Sequence, residues 1–204
     1  KQKTAYEIRN WDWSSDVCSS DLLERDDILL STHRGHGHTL VKGASPLAMM
    51  RELLGRDGGC CGGKGGSMHI ADFSVGMLGA NGVVAANILI ATGAAHAIKL
   101  RGEPRVAVCI FGDGAINRGP FLEGLNWAQI FALPVLFLCE DNQFAATTRT
   151  GAVSAGTGAC ARAESLGIAS LTVNGNDVLE VEAVVRDALA AVRGGRSEEH
   201  TSEL

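Results

Sequence analysis

The chain has 204 residues, a length that suits one large domain or a fragment of a bigger protein. An apolar content of 46% with 20% charged residues is typical of a soluble globular protein, and no apolar stretch reaches the roughly 18 residues of a membrane span. A net charge of −5 argues against a general nucleic-acid binder. The six cysteines lack the paired spacing of zinc ligands, which indicates reduced thiols, so we expect a cytoplasmic protein. From the charge and the lack of a membrane span, we expect that it binds neither nucleic acid nor a membrane.

The two ends of the chain differ from the rest. Residues 1 to 22 contain two of the three Trp without a steady period of 2 or 3.6, and residues 196 to 204 are polar. Both stretches resemble translated sequencing-adapter read-through, so we interpret them as non-native and exclude them from the fold prediction. A native tail is the alternative. The domain is then predicted to cover residues 23 to 195, as a truncated part of a longer protein.

Strands and helices are predicted to alternate along residues 23 to 195. The predicted elements are, in chain order, an approach at 26–31, a loop at 32–38, a helix at 46–54, a glycine-rich loop at 58–66, a turn at 79–82, a helix at 83–99, a strand at 105–111, a helix at 119–133, a strand at 134–139, a loop at 147–158, a short helix at 161–166, a strand at 168–173 and a helix from 177 to 193. The strands are almost continuously apolar, which indicates burial on both faces. We therefore predict an α/β fold in which helices cover both faces of a parallel sheet.

Asp113 and Asn142 each follow one of the two most apolar strands. A strand, a helix and a strand within about 30 residues form one βαβ unit, whose right-handed crossover makes the strands parallel. Both side chains should then emerge at the same edge of the sheet and can converge on one Mg²⁺ that carries a diphosphate. The Gly-Asp-Gly turn alone occurs in many β-turns, and the matched Asn142 strengthens the prediction. The Phe144 backbone oxygen could add a third ligand.

Three further segments can contact a ligand. Gly114 and Ala115 leave room for a diphosphate near a helix N-terminus, where exposed N–H groups favour anions. Arg34 can form two hydrogen bonds to phosphate oxygens, while His33 or His36 reaches the reacting centre. The alternatives for this His-rich loop are zinc ligation and a solvated basic loop. The turn at 79–82 could bind a flat heterocycle through its backbone, or could be a simple tight turn.

Residues 23 to 195 resemble the alpha subunit of the thiamine-diphosphate-dependent decarboxylating component of 2-oxo acid and acetoin dehydrogenase complexes. The resemblance implies a thiamine-diphosphate-binding fold, here incomplete. Four motifs in the family's order carry it: Thr32-His33-Arg34-Gly35-His36-Gly37, Gly62-Gly63-Lys64-Gly65-Gly66-Ser67-Met68-His69, Gly79-Ala80-Asn81-Gly82-Val83-Val84, and Gly112-Asp113-Gly114 through Asn142.

The resemblance also implies roles for individual residues. Asp113, Asn142 and the Phe144 carbonyl would hold Mg²⁺. Arg34, Gly114 and Ala115 would lie beside the diphosphate, with His33 where many relatives have Tyr. Gly82 and Val84 would contact the aminopyrimidine through backbone groups, and His36 would line the reaction centre as the catalytic residue.

The implied activity is that of an oxidoreductase. It cleaves a C–C bond next to a carbonyl, in acetoin or in a 2-oxo acid such as pyruvate, and passes the acyl unit to a lipoyl group. The implied partners are a beta subunit, in an α₂β₂ assembly, and a lipoyl-bearing acyltransferase. The family's glutamate that activates the aminopyrimidine belongs to the beta chain. Local similarity at residues 36–38, 69–72 and 76–82 is closer to the acetoin-type members.

Departures from the family pattern lead to further expectations. A later His-bearing loop and the N-terminal helices are missing, so we expect this polypeptide alone to be inactive. Two other functions fit parts of the pattern. A Mg²⁺-dependent phosphohydrolase could use Asp113 with further carboxylates, for which Glu140 and Asp141 are the candidates. A non-catalytic phosphate-binding module is the third possibility.

Overall fold

The computed structural model describes residues 3–9, 17–18 and 20–198, with only the backbone described at 3–9 and 195–198. The strands are β1 (Lys3–Arg9), β2 (Ile28–Thr32), β3 (Met77–Asn81), β4 (Ala107–Gly112), β5 (Val135–Asp141), β6 (Phe144–Ala145), β7 (Thr148–Arg149) and β8 (Ala169–Asn174). The α-helices are α1 (His36–Val41), α2 (Pro46–Leu53), α3 (Ala86–Arg101), α4 (Gly119–Ile130), α5 (Ala159–Ser165) and α6 (Val178–Glu198). Short 3₁₀ helices lie at Phe73–Val75, Asp113–Asn117 and Thr150–Ala152.

Six of the strands form one parallel sheet in the order β3-β2-β4-β5-β1-β8. Strands β4 and β5 are direct neighbours, and Gly112 at the end of one is paired with Glu140 near the end of the other. The parallel βαβ unit predicted from the sequence is therefore confirmed. The short strands β6 and β7 form a separate antiparallel pair immediately after β5.

Strand β1 was not predicted, because residues 1 to 22 were excluded from the fold. The structure places Lys3–Arg9 between β5 and β8, parallel to both. The interpretation of residues 1 to 22 as non-native concerns their origin and stays a prediction. The predicted tail at 196 to 204 lies partly outside the described residues, since the structure describes the chain only to Glu198.

Helices cover both faces of the sheet, as predicted. On one face, inward side chains of β2, β4 and β5 pack against α3, α4 and α5 in a cluster that includes Ile88, Leu125 and Ala163. On the other face, alternate residues of the same strands pack against α6, including Val185 and Leu189. The strands are buried on both sides, which is why their sequences are almost continuously apolar. Among the described residues, no helix has both the length and the apolar character needed to cross a membrane.

Several element boundaries differ from the predicted ones for local reasons. Helix α3 begins at Ala86 rather than at residue 83, because the Asn81 side chain accepts a hydrogen bond from Val83 N–H and Ala85 adopts a φ of 71°. Helix α4 ends at Ile130, two residues before Ala132 with its φ of 42°. The segment predicted as a loop at 147–158 contains β7 and a 3₁₀ helix. Helix α2 closely matches its prediction and is capped by Ser45.

The contact between α3 and α4 depends on Gly124. A Cβ at this position would lie 2.7 Å from Ile88 Cγ2 and 3.2 Å from Thr92 Oγ1. Both partners are buried, so neither can easily move away.

We expect Gly124→Ala to lower the free energy of unfolding by about 1–3 kcal/mol, the usual cost of overpacking a closed core. Urea unfolding followed by circular dichroism measures this loss. Gly93→Ala on α3 is the matched control, because a Cβ there would meet nothing within 4 Å and Ala favours helix over Gly. A Gly124→Ala protein as stable as the parent would contradict the prediction.

Candidate functional site

The predicted ligand-binding segments lie along one edge of the sheet. Strands β3, β2, β4 and β5 are adjacent in that order and parallel, so the segments that follow them share the carboxyl edge. The chain after β2 packs Ala44 and Val75 onto one face of the sheet, whereas the chain after β4 packs Phe121 onto the opposite face. The chain segments that follow β2 and β4 therefore cross opposite faces of the sheet. Open α/β sheets bind ligands in the crevice at such a switch point.

Asp113 is the most distinctive side chain at this edge. It is buried at the start of the 3₁₀ helix that follows β4, and its Oδ2 accepts a hydrogen bond of 2.7 Å from Thr150 Oγ1. Its Oδ1 is also buried but has no hydrogen-bond partner among the described residues. Burial raises the pKa of Asp113 to about 6; the Thr150 hydrogen bond opposes this shift, and the nearby Asp141 carboxylate adds to it. A buried carboxylate oxygen of this kind is suited to bind a cation or to accept a hydrogen bond from a ligand.

A cavity of about 490 Å³ opens beside Asp113, and we call it the Asp113 cavity. Its lining comes from the ends of β4 and β5 and from the chain between β7 and α5: Asp113, Ile116, Cys139, Asp141, Gln143, Arg149, Thr150, Gly151, Ala152, Ser154, Gly156, Thr157, Gly158 and Ala159. Most of this lining was predicted only as a loop. Thr150 is thus a candidate site residue that sequence reasoning missed, since a Thr in a polar loop carries no signal by itself.

Asn142 and Phe144 lie directly after β5, next to the end of β4 that carries Asp113. Asn142 is half-buried, and its Oδ1 accepts a hydrogen bond of 2.9 Å from Phe144 N–H. Gln143 between them has a φ of 64°, so the chain turns sharply here. Because β4 and β5 are parallel neighbours, Asp113 and Asn142 follow them at the same edge of the sheet, as predicted. The coordination of a metal by this set stays a prediction.

These residues suit the magnesium ion that the resemblance implies. Asp113 Oδ1, the Asn142 amide oxygen and the Phe144 carbonyl are hard oxygen donors of the kind Mg²⁺ prefers, and they include one negative charge. The observation that supports the fit is the buried Asp113 Oδ1, which has no hydrogen-bond partner within residues 3–9, 17–18 and 20–198.

Gly114 and Ala115 are more tightly packed than the sequence suggested. A Cβ at Gly114 would lie 2.8 Å from Ala145 Cβ, so the close approach of β6 explains the need for glycine. The Ala115 side chain is buried in the core. Only backbone groups of these two residues can therefore face a diphosphate. Their role as diphosphate contacts stays a prediction.

The His-rich loop after β2 is divided between the surface and the core. His33 and Arg34 are exposed, and Arg34 Nε donates to His33 Nε2 over 3.3 Å. Partial burial lowers the pKa of His33, and the Arg34 charge adds to this effect. His38 is buried, with its Nδ1 2.7 Å from Ser31 Oγ. Among the described residues these histidines form no group that could share a metal ion, so the zinc alternative gains no support.

His36, the predicted catalytic residue, contacts the segment that follows the glycine-rich loop. Its Nε2 lies 2.9 Å from Ser67 Oγ. Two residues further, the His69 ring approaches Gly82, where a Cβ would lie 3.4 Å from His69 Nε2. Val84 is 53% exposed, and its role as an aminopyrimidine contact stays a prediction. Ser67 and His69 belong to the motif at residues 62–69, and through them that motif contacts His36 and Gly82.

Glu52 organises residues 58–66, which we call the glycine loop. It is fully buried at the end of α2, and its two carboxylate oxygens accept four backbone hydrogen bonds of 2.7–3.0 Å. The donors are Cys61, Gly63, Gly65 and Gly66. Burial alone would raise the pKa of Glu52, but the four N–H groups outweigh it and hold that pKa below its usual value. Sequence reasoning missed Glu52 because it has the pattern of an ordinary helix residue.

We expect Glu52→Gln to destabilise the protein near neutral pH. The NH₂ of the new amide would face two of the backbone N–H donors, which would then have no acceptor. Because each unpaired buried donor costs ~1–3 kcal/mol, the free energy of unfolding should fall by at least about 2 kcal/mol. Because the pKa of Glu52 is depressed in the folded state, its stabilisation is present above the unfolded value of ~4.3 and is lost as pH falls through the folded value.

Urea unfolding at about pH 7 and at a pH below the unfolded pKa of ~4.3 measures this difference. The difference in the free energy of unfolding between wild type and Glu52→Gln should be smaller at the lower pH. Glu123→Gln is the matched control, because Glu123 is exposed on α4. If the two free energies of unfolding are equal at pH 7, or if their difference grows as the pH falls, Glu52 does not stabilise the protein through its charge.

Arg162 on α5 is a further residue that sequence reasoning missed. It donates hydrogen bonds to the Ile116 carbonyl, to Asn117 Oδ1 over 2.9 Å and to the Ala155 carbonyl over 3.3 Å. It therefore links the 3₁₀ helix that carries Asp113 to the chain that lines the Asp113 cavity.

Comparison with known proteins identifies a family and a solved structure with the same fold. The family model described as dehydrogenase E1 component matches residues 14–198, which begins inside the segment interpreted as non-native and ends inside the predicted tail. A solved structure of benzoylformate decarboxylase from Polynucleobacter necessarius shares the fold, with a TM-score of 0.58 over 88% of this chain and 30% of that one. Its sequence identity is 14%, so this likeness concerns the fold alone.

Curated relatives are more similar in sequence. The acetoin:2,6-dichlorophenolindophenol oxidoreductase alpha subunits of Cupriavidus necator and Bacillus subtilis are 46% and 44% identical to this chain. These matches cover 85% and 88% of this chain and 52% and 53% of those proteins. The pyruvate dehydrogenase E1 component alpha subunit of Rhizobium meliloti is 38% identical over 85% of this chain and 50% of its own length. The chain thus spans about half the length of the relatives it matches, and it belongs to the dehydrogenase E1 component family.

Proposed function

We propose that this chain is part of the alpha subunit of a thiamine-diphosphate-dependent oxidoreductase. The enzyme cleaves the C–C bond next to a carbonyl and passes the acyl unit to a lipoyl acceptor. One observation carries the proposal: in a member of the dehydrogenase E1 family, the buried Asp113 has an oxygen with no hydrogen-bond partner in the described part of the chain, at the sheet edge shared with Asn142. That arrangement suits a magnesium-bound diphosphate.

The residues of this chain would bind and orient the cofactor. Asp113, Asn142 and the Phe144 carbonyl would hold Mg²⁺, and Arg34 with the backbone of Gly114 and Ala115 would contact the diphosphate. Gly82 and Val84 would support the aminopyrimidine through backbone groups, at the end of β3. When bound, thiamine diphosphate supplies an acceptor for the electron pair released as the C–C bond breaks.

His36 would act at the reacting centre. Its contact with Ser67 Oγ holds one ring nitrogen, which limits rotation of the ring and leaves the other nitrogen for a substrate or a proton. The Thr150 hydroxyl donates to Asp113 Oδ2 and so orients the carboxylate with Oδ1 available to the metal. Such partners of metal ligands typically change metal affinity 10- to 100-fold when removed.

Acetoin is the substrate that we favour over pyruvate and other 2-oxo acids. The two acetoin oxidoreductase subunits are 46% and 44% identical to this chain, compared with 38% for the pyruvate dehydrogenase subunit of Rhizobium meliloti. Local similarity around residues 36–38, 69–72 and 76–82 agrees with this choice.

The partners and location belong to the same proposal. The relatives are named as alpha subunits, which implies a beta subunit that completes the site. The acyl acceptor would be a lipoyl group on an acyltransferase. We place the enzyme in the cytoplasm, where reduced thiols such as its six cysteines are maintained.

A reconstituted activity assay tests the proposal. The alpha chain, expressed at full length with its beta subunit, should reduce 2,6-dichlorophenolindophenol when supplied with Mg²⁺, thiamine diphosphate and acetoin. The rate with acetoin should exceed the rate with pyruvate. Dye reduction without added cofactor, or release of phosphate from simple phosphoesters in its place, would contradict the proposal.

A further inference from the structure

Outside the Asp113 cavity, a second group of titratable side chains lies where the glycine loop folds around Glu52 of α2. The ligand atoms of Glu52, Cys60 and Cys61 all lie within 4.8 Å of one another. Both thiols are half-buried. The loop conformation brings the two sulfurs together, and Glu52 holds that conformation by accepting a hydrogen bond of 2.8 Å from Cys61 N–H. The sulfur pair is therefore preorganised by a buried charge that the proposed reaction does not use.

The pair is poorly suited to a disulfide between its own members. Adjacent Cα atoms are ~3.8 Å apart across a trans peptide, whereas disulfides usually join Cα atoms 4.4–6.8 Å apart. An atom that bridges the two sulfurs would relieve this constraint, because it lengthens the connection by a second bond.

The pair also lacks the ligands of a closed zinc site. Structural zinc takes four ligands, usually Cys or His. Glu52 is the remaining member of the group, and both of its oxygens already accept two backbone hydrogen bonds each. A ligand that needs only two soft sulfur donors fits these residues better.

We propose that Cys60 and Cys61 form a binding site for thiophilic trivalent arsenicals. With an organoarsenic oxide, two As–S bonds form as the As=O bond and two S–H bonds break. The two thiol protons leave with the oxide oxygen as one water molecule, and the arsenic stays trivalent. The organic substituent occupies the third position on arsenic, so the reaction needs no further protein ligand.

The raised pKa of the Cys60 thiol favours such a ligand over simple alkylating agents. Burial raises the pKa of Cys60 to about 11, and the neighbouring Cys61 adds to this shift. The thiolate that reacts with alkylating agents is therefore scarce near neutral pH. A thiophilic element that is bound by both sulfurs at once displaces both protons.

Capture would also change the surroundings of the loop. Cys61 Sγ accepts a hydrogen bond of 3.2 Å from Ala71 N–H and lies 3.5 Å and 3.4 Å from the His69 and Ala71 carbonyls. Loss of the thiol proton removes the donor to these carbonyls. His69 borders Gly82, so the change reaches a predicted cofactor contact; that consequence rests on the proposed function, whereas arsenical binding does not.

Phenylarsine oxide is the probe for this site. The full-length alpha chain with its beta subunit, and without any acyltransferase whose lipoyl thiols would compete, should bind the reagent with loss of two titratable thiols per alpha chain. Peptide mapping should place the adduct on the segment with Cys60 and Cys61. Because the second As–S bond forms within one molecule, Cys60→Ser should weaken binding by about 100-fold or more.

Cys160→Ser is the matched control, since Cys160 is a half-buried cysteine on α5 that is not a member of the group formed by Glu52, Cys60 and Cys61. It should leave the affinity unchanged. Cys61→Ser should lose affinity as Cys60→Ser does, and circular dichroism verifies that both variants are folded. An affinity retained within about 3-fold in folded Cys60→Ser, or an adduct mapped to another cysteine, overturns the proposal whether or not the enzyme uses thiamine diphosphate.

Discussion

Replacing Asp113 by Ala should abolish Mg²⁺-dependent binding of thiamine diphosphate while leaving the protein folded. Asp113 is the buried carboxylate whose Oδ1 has no hydrogen-bond partner among the described residues. Its removal takes away the one charged ligand in the proposed set, so the loss in affinity should exceed the 10- to 100-fold effect typical of an outer partner. Stability should not fall, because burial raises the pKa of Asp113 and so disfavours its charged form.

Isothermal titration of the reconstituted alpha and beta subunits with cofactor and Mg²⁺ measures this loss. Thr150→Val provides a graded comparison, since it removes only the hydrogen bond that orients the carboxylate, and a 10- to 100-fold decrease is expected for it. Asp187→Ala is the control, because Asp187 is exposed on α6. Cofactor binding that is equal in wild type and Asp113→Ala would exclude Asp113 as a metal ligand.

Replacing Asp27 by Ala should lower the free energy of unfolding strongly. Asp27 is buried just before β2, and it accepts hydrogen bonds from Val106 N–H, Glu24 N–H and the Arg193 guanidinium. Removing one member of a buried ion pair leaves the other uncompensated and typically costs 3–5 kcal/mol. Arg193 is largely buried, with 23% of its side chain exposed, so we expect about 3 kcal/mol or more.

Urea unfolding measures this effect, and the surface pair between Arg186 and Glu182 provides a matched control. Those partners are four residues apart on α6, and their side chains are 63% and 36% exposed. Glu182→Ala should therefore cost only about 0.3–0.5 kcal/mol. Equal effects for the two variants would show that Asp27 does not join α6 to the sheet through a buried charge.

Much of the fold could be predicted because each βα segment carries its own signals. Strands β4 and β5 are continuously apolar, since helices cover both of their faces. Ser45 and Pro46 mark the start of α2, and Gly102 follows the end of α3 in the left-handed region. The predicted ends of helices were less accurate where a side chain changes the local backbone conformation, as Asn81 does before α3.

The candidate site was predicted in part. Asp113 and Asn142 could be placed at one edge because parallel strands carry their following residues to the same side. Thr150 and Arg162 could not, because they reach Asp113 and its 3₁₀ helix from segments 37 and 46 residues away in sequence. Such contacts have no local pattern. Glu52 likewise is one acidic residue in a short helix until the glycine loop folds around it.

The sequence by itself determined the α/β class, the parallel βαβ unit and the oxygen ligands proposed for a magnesium-bound diphosphate, because periodicity and strand-end residues are local properties. The tertiary structure decided the placement of β1 in the sheet, the partners of Asp113 and the clustering of Glu52 with Cys60 and Cys61. These depend on which distant segments pack together. That choice comes from burial summed over the whole core, and a one-dimensional pattern does not contain it.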